Sequence, residues 1–124
     1  MLLGWVHRVR DLGSLLFLDV RDRHGLTQVI VEGDEALLER IKRVRSEFVV
    51  AVIGEVERRS ADTVNLSLPT GEVEVRAKEV RVLNEAKTPP FSIAEDQNVS
   101  EETRLKYRYL DLRRPQLQHN IGLR

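Results

Sequence analysis

The 124-residue chain predicts a mainly β fold: a small barrel of five strands with one helix between the third and fourth, then a linker and a C-terminal helical segment. Three observations predict it. At 15–21 Leu16, Leu18 and Val20 recur at every second position, and residues 73–77 alternate apolar with polar side chains, the period of a half-buried strand. The run FVVAVI at 48–53 is apolar on both faces, as in a strand inside a closed sheet or under a helix. Ahead of it, Leu37, Leu38, Ile41 and Val44 recur at helical spacing.

Each element has its own signals. Residues 2–10 mix apolar and basic side chains and stop at the turn signal Asp11-Leu12-Gly13. In the second strand Leu16, Leu18 and Val20 share one face, and Leu15, Phe17, Asp19 and Arg21 the other. A tight turn at Asp22-Arg23-His24-Gly25 leads into a third strand at 27–31, with Val29 and Val31 inward and Gln28 on the opposite face. Asp34 suits the cap of a helix running to near Ser46. The fourth strand continues past a bend at Gly54 to about Arg58, and residues 60–71 read as a long hairpin loop. The last strand turns Val73, Val75 and Ala77 inward and Glu72, Glu74 and Arg76 outward. Val80 and Val82 rejoin the inward set only if a bulge sits near Lys78-Glu79. Three strands, a helix and two strands are the layout of an OB-fold barrel, here residues 1–84. Such barrels bind oligonucleotides on strands 2 and 3 and on the loops joining strands 1–2 and 4–5, which are residues 15–21, 27–31, 11–14 and 60–71.

Beyond the barrel, residues 85–99 hold Pro89-Pro90 and a cluster of Asp, Asn and Ser, and read as an extended linker. Residues 100–124 read as a helical hinge. Ser100 caps, Glu101 and Glu102 fill the first turn, and Pro115 breaks or restarts the helix. The basic run RLKYRYLDLRR at 104–114 fits a phosphate-contacting helix or one that docks on a second domain. Tyr107, Tyr109, Leu110 and Leu112 favour docking.

Composition removes several classes of function. Twenty basic side chains balance twenty acidic ones, which excludes a strongly basic coat protein or an acidic tail protein. Without cysteine there is no disulfide, thiolate zinc site or cysteine nucleophile. No run of apolar residues spans a bilayer and no leader pattern opens the chain, so no membrane partner is expected and the location is cytoplasmic. His7, His24 and His119 lack metal-ligand spacing. Asp19 and Asp22 sit beside Arg21 and Arg23, as in a salt-bridged turn rather than a catalytic pair. No Gly-rich phosphate loop or nucleophile elbow occurs. Catalytic residues, metal ligands and cofactors are therefore not expected in this chain.

A binding surface is the better candidate. Phe17 faces outward beside Arg8, Arg10 and Arg21, with Gln28 on the paired strand. An outward aromatic can stack a base, and an amide can read a base edge; alternatively Phe17 packs under the helix or another domain. Glu74 could accept from guanine N1 and N2, or be a solvated strand residue. Arg10, Arg58 and Arg59 suit phosphates or plain surface charge. Trp5 is expected to pack in the core or at an interface.

The residues also resemble a known family. Gly4-Trp5-Val6, the stretch RDLGSLLFLDVRDR at 10–23, Gly25-Leu26-Thr27-Gln28-Val29, TGEVEV at 70–75 and LKYRYLDLRRP at 105–115 are similar to the anticodon-binding OB domain of bacterial-type aspartyl-tRNA synthetases. The resemblance covers essentially the whole chain; its first motif is shared in part with the asparaginyl and lysyl enzymes. It implies that the domain grips the anticodon loop of aspartate tRNA, with anticodon Q/G-U-C. Phe17 would stack on the central uracil and Gln28 would read it. Arg10 would meet the third base and Glu74 the wobble base, with Arg59 and Asn65 near the anticodon. Apart from the resemblance, Arg8, Arg21 and Arg58 are candidate phosphate contacts by their charge. Val9 interrupts a basic stretch that relatives often carry, and Thr63 replaces a frequent asparagine. The resemblance further implies a class II catalytic domain outside these residues, using ATP and Mg, and a homodimeric parent enzyme. Rival readings are a stand-alone OB module that binds single strands without sequence preference, a protein-docking barrel, or the anticodon domain of a lysyl or asparaginyl enzyme.

Overall fold

A computed structural model describes residues 1–13, 15–33, 35–59, 73–93 and 98–124. Five strands, β1 (Leu2–Asp11), β2 (Leu15–Asp22), β3 (Gly25–Glu32), β4 (Val49–Arg58) and β5 (Val73–Asn84), close into a barrel in the order β1-β2-β3-β5-β4. Helix α1 (Glu35–Ile41) lies between β3 and β4. Only the β3–β5 pair among the described strands is parallel, with Val29 opposite Val75. This is the expected OB-fold layout.

The alternation in β2 sets the core. Leu16, Leu18 and Val20 are buried with Val6, Val29, Val31, Val50 and Val52, and α1 adds Leu37, Leu38 and Ile41. Gly25 takes a φ of 134° at the β2–β3 turn, where the Asp22 carboxylate accepts from the His24 N–H at 2.7 Å. The bulge expected in β5 is present. Ile53 pairs with Glu79 and Gly54 with Ala77, so Lys78 is the extra residue. Val80 returns inward at 7% exposure, whereas Val82 is left half-exposed near the strand end. Gly54 marks a close approach of backbones, because a Cβ there would collide with the Arg76 carbonyl oxygen.

One expectation is corrected. The helix ends at Ile41 rather than near Ser46. Beyond it the Val44 N–H bonds the Ile41 carbonyl at 2.9 Å and Arg45 donates to the Lys42 carbonyl at 2.7 Å, closing the helix end with local bonds. Val44 still reaches the core, which is why its spacing reads as helical. The Asp34 cap lies outside the described residues. For Trp5 the core alternative falls and the interface alternative stands: it is 43% exposed on the outer face, opposite Arg21.

The chain divides into two compact units, residues 1–88 and 89–124. The second holds α2 (Glu101–Lys106), α3 (Arg108–Asp111) and α4 (Pro115–Gly122). Ser100 caps α2 by accepting from the Thr103 N–H, and Pro115 restarts the helix at the first position of α4. A further break falls at Tyr107 (φ −110°, ψ 49°). The buried Asp111 accepts from Arg114 at 3.2 Å and Arg108 at 3.4 Å. Leu105, Tyr109, Leu112, Ile121 and Leu123 remain exposed.

Candidate nucleic-acid interface

The site grows from pairing rules. Residues directly opposite on antiparallel strands share a face. Arg10 stands opposite Phe17, and Asp19 opposite Gln28, so all four lie on the outer face of β1–β3. A bulge at His7 makes this possible. Val6 pairs with Val20 and Arg8 with Asp19, which shifts the phase of β1 so that Trp5, Arg8 and Arg10 all point outward. The parallel β3–β5 register brings Glu74 beside Gln28.

These side chains form one connected array. Arg10 Nη2 lies 3.4 Å from Asp19 Oδ1 and 3.2 Å from Gln28 Oε1. Gln28 Nε2 donates to Glu74 Oε2 at 3.1 Å. The Arg10 guanidinium also lies 5.3 Å from the centre of the Phe17 ring, within range of a cation–π contact. Phe17 and Glu74 are half-buried, and Gln28 is 9% exposed. The array presents an aromatic ring, an amide, a guanidinium and a carboxylate within a few ångströms, a set able to stack a base and read its edges.

Among the other predicted residues, Arg8 and Arg58 are exposed on β1 and β4. Arg21 has the outward position expected of it, but its guanidinium is paired with Glu47 at 2.8 and 3.2 Å and with His7 Nδ1 at 2.8 Å, so its charge is already matched. Arg59 is buried and donates from Nε to the Val73 carbonyl at 3.2 Å. It ties the end of β4 to the start of β5. Asn65 lies outside the described residues, as does the hairpin loop expected at 60–71.

Sequence reasoning missed two features. Asp19 reads as the partner of the neighbouring Arg21 and Arg23, yet it meets Arg10 from the adjacent strand. Its outward place beside Arg10 is deducible only once the β1 bulge is known. The Glu47–Arg21–His7 cluster carries no sequence signal, since Glu47 reaches it from a left-handed backbone (φ 69°). Burial first, and then the Arg21 charge, lower the His7 pKa below its ordinary value. Among the described residues no group of three or more His, Cys, Asp or Glu side chains could hold a metal ion, and no helix is long and apolar enough to cross a membrane.

The closed five-stranded barrel with its helix between β3 and β4 is that of an OB-fold domain. A family model of the OB-fold nucleic acid binding domain matches residues 2–83, and the chain belongs to that family. It is homologous to the N-terminal region of bacterial aspartate–tRNA ligases. It is 55% identical over 124 residues to the aspartate–tRNA(Asp/Asn) ligase of Moorella thermoacetica, covering 99% of this chain and 21% of the relative. Against the enzyme of the same name from Acidobacterium capsulatum the identity is 50% over 125 residues, with 99% and 20% covered. The chain thus spans about a fifth of the length of these relatives. The asparaginyl-tRNA synthetase of Pyrococcus horikoshii, solved with asparaginyl-adenylate, superposes with a TM-score of 0.72 at 30% identity over 92% of this chain and 25% of that one.

Proposed function

We propose that this chain is the anticodon-gripping part of an aspartate–tRNA ligase, holding the anticodon loop of aspartate tRNA on the outer face of β1–β3 and β5. The observation that carries the reading is the connected array of Phe17, Arg10, Gln28 and Glu74, on the face that OB folds use for oligonucleotides. Homology to the ligases supports it. Phe17 stacks on the central uracil and Gln28 reads its edge. Arg10 meets the third base, Glu74 the wobble guanine or queuine, and Arg8 and Arg58 the phosphates. Asn65 belongs near the anticodon. Arg21 and Arg59, engaged elsewhere, act as supports for the barrel.

By the same reading residues 1–84 are the binding domain, 85–99 a linker and 100–124 a hinge. The exposed Leu105, Tyr109 and Leu112 are faces for a class II catalytic domain of the parent enzyme. That domain would supply ATP and Mg chemistry and join aspartate to the tRNA, in a cytoplasmic homodimer; no step of that chemistry is assigned to the residues of this chain.

The test is a fluorescence titration of the chain with an anticodon stem-loop carrying G-U-C, against the same loop with C at the centre. The expected result is a preference for the U loop that Gln28→Ala abolishes. Equal binding of both loops by the unaltered chain would instead make it a sequence-tolerant single-strand binder.

A further inference from the structure

The Gln28 amide is held in one of its two flip states, and we infer that Glu74 and Arg10 are thereby positioning residues that set the preference for uracil over cytosine at the central base. This rests on the reading of Gln28 as the residue that meets that base. An arginine only donates hydrogen bonds and an ionised carboxylate only accepts them. Arg10 Nη2 lies 3.2 Å from Oε1, and Glu74 Oε2 lies 3.1 Å from Nε2. Turning the amide by half a rotation would set N–H against N–H on one side and oxygen against oxygen on the other. Two hydrogen bonds would become two repulsions, at a side chain with 9% exposure and little water to compensate. Asp19 adds a tether, with Oδ1 3.4 Å from the same Nη2 of Arg10.

The two partners approach from different directions. In the barrel order β1-β2-β3-β5, Arg10 reaches Gln28 from the β1–β2 side and Glu74 from the β5 side. Each bond uses one lone pair or one N–H. An amide carries two of each, so one acceptor position and one donor position of the fork are left for a base. Uracil offers an N3–H donor beside carbonyl acceptors and complements a fork fixed this way. Cytosine offers an N3 acceptor beside an amino donor, and meets like with like. Glu74 and Arg10 therefore act on the central base through Gln28, in addition to any base they touch themselves.

The experiment titrates the chain with two stem-loops identical except for U or C at the centre. The proteins are the unaltered chain, Gln28→Ala, Glu74→Gln and the double variant Arg10→Gln/Glu74→Gln. Glutamine at 74 is close in shape but can present either an oxygen or an N–H, so it no longer dictates the flip state. The unaltered chain should favour U by about tenfold or more, the scale of a two-point hydrogen-bonded base contact. Glu74→Gln should lower that ratio several-fold, and the double variant should bring it to within about twofold. The first and third bases are the same in both loops, so a weaker grip on either one cancels in the ratio. Variants that weaken both loops in parallel and keep the original U:C ratio would overturn the inference while leaving Gln28 as the reader. A preference that survives Gln28→Ala would overturn the underlying reading, and the inference with it.

Discussion

Arg10 touches three members of the site at once, and the strength of those contacts says what they are for. Its side chain is 50% exposed and its pair with Asp19 is 3.4 Å long. Ion pairs of that kind contribute about 0–1 kcal/mol to stability, so the array orients groups more than it holds the barrel together. Phe17 follows the same logic: it points out of the core, and one face of its ring carries the Arg10 guanidinium. Phe17→Ala should weaken stem-loop binding by about 1–3 kcal/mol while the chain keeps a cooperative thermal transition; unchanged affinity in a folded variant would remove Phe17 from the site. His7 behaves differently. Arg21 donates to its Nδ1 at 2.8 Å, which fixes the neutral ring with its proton on Nε2, since arginine only donates. Burial and the Arg21 charge lower its pKa, so the unfolded chain binds this proton more readily than the folded one. Stability should therefore rise with pH. The contribution is complete above the ordinary histidine value of about 6.5 and is lost as pH falls through the lowered value. Urea unfolding at pH 5 and 7.5 should show a smaller difference for His7→Gln than for the unaltered chain; an equal difference would show that His7 is not the group responsible.

Strand irregularities place the site. Without the bulge at His7, strict alternation from Trp5 would turn Arg8 and Arg10 inward, away from Phe17. The bulge at Lys78 does the equivalent work in β5: it keeps Val75 and Ala77 in the core on one side and returns Val80 to it on the other. Bulges bend the strands that carry them and raise the local twist, as closure of so small a sheet requires. At the bulge in β5, Gly54 on β4 leaves room for the Arg76 carbonyl. Gly54→Ala should destabilise the barrel by about 1–3 kcal/mol through overpacking, read as a lower midpoint in urea. A wild-type midpoint would mean that the strands separate there at no cost.

For the whole molecule, charge is balanced and unevenly used. Twenty basic and twenty acidic groups cancel, and much of the outer surface of β4 and β5 pairs them locally, as in Lys78–Glu55 and Arg76–Glu57. Arg8 stands exposed beside the array, opposite Asp19, and Arg58 is exposed at the end of β4. A surface of this kind should bind RNA with a modest salt dependence. At about −0.7 per neutralised phosphate for single strands, two or three contacts give a slope of log affinity against log salt of about −1.4 to −2.1. A slope several times steeper would show that affinity comes from a larger basic surface, and would disfavour reading by the array.

Fold class was legible in the sequence because each strand declares its inner face by period two, and the order of strands and helix admits few closed arrangements. Phe17, Gln28 and Glu74 were legible as outward residues for the same reason. The resemblance to synthetase domains, carried by the motifs at 10–23 and 105–115, is what implies anticodon-reading roles for those positions. Periodicity says nothing about what lies across a strand boundary. It could not show that a bulge rotates Arg10 onto the face of Phe17, that Glu47 pairs with Arg21, or that Trp5 turns outward. Nor could it join Gln28 to Glu74, 46 residues apart. That contact exists because β3 and β5 pair in parallel, and register between distant strands is decided only when the barrel closes.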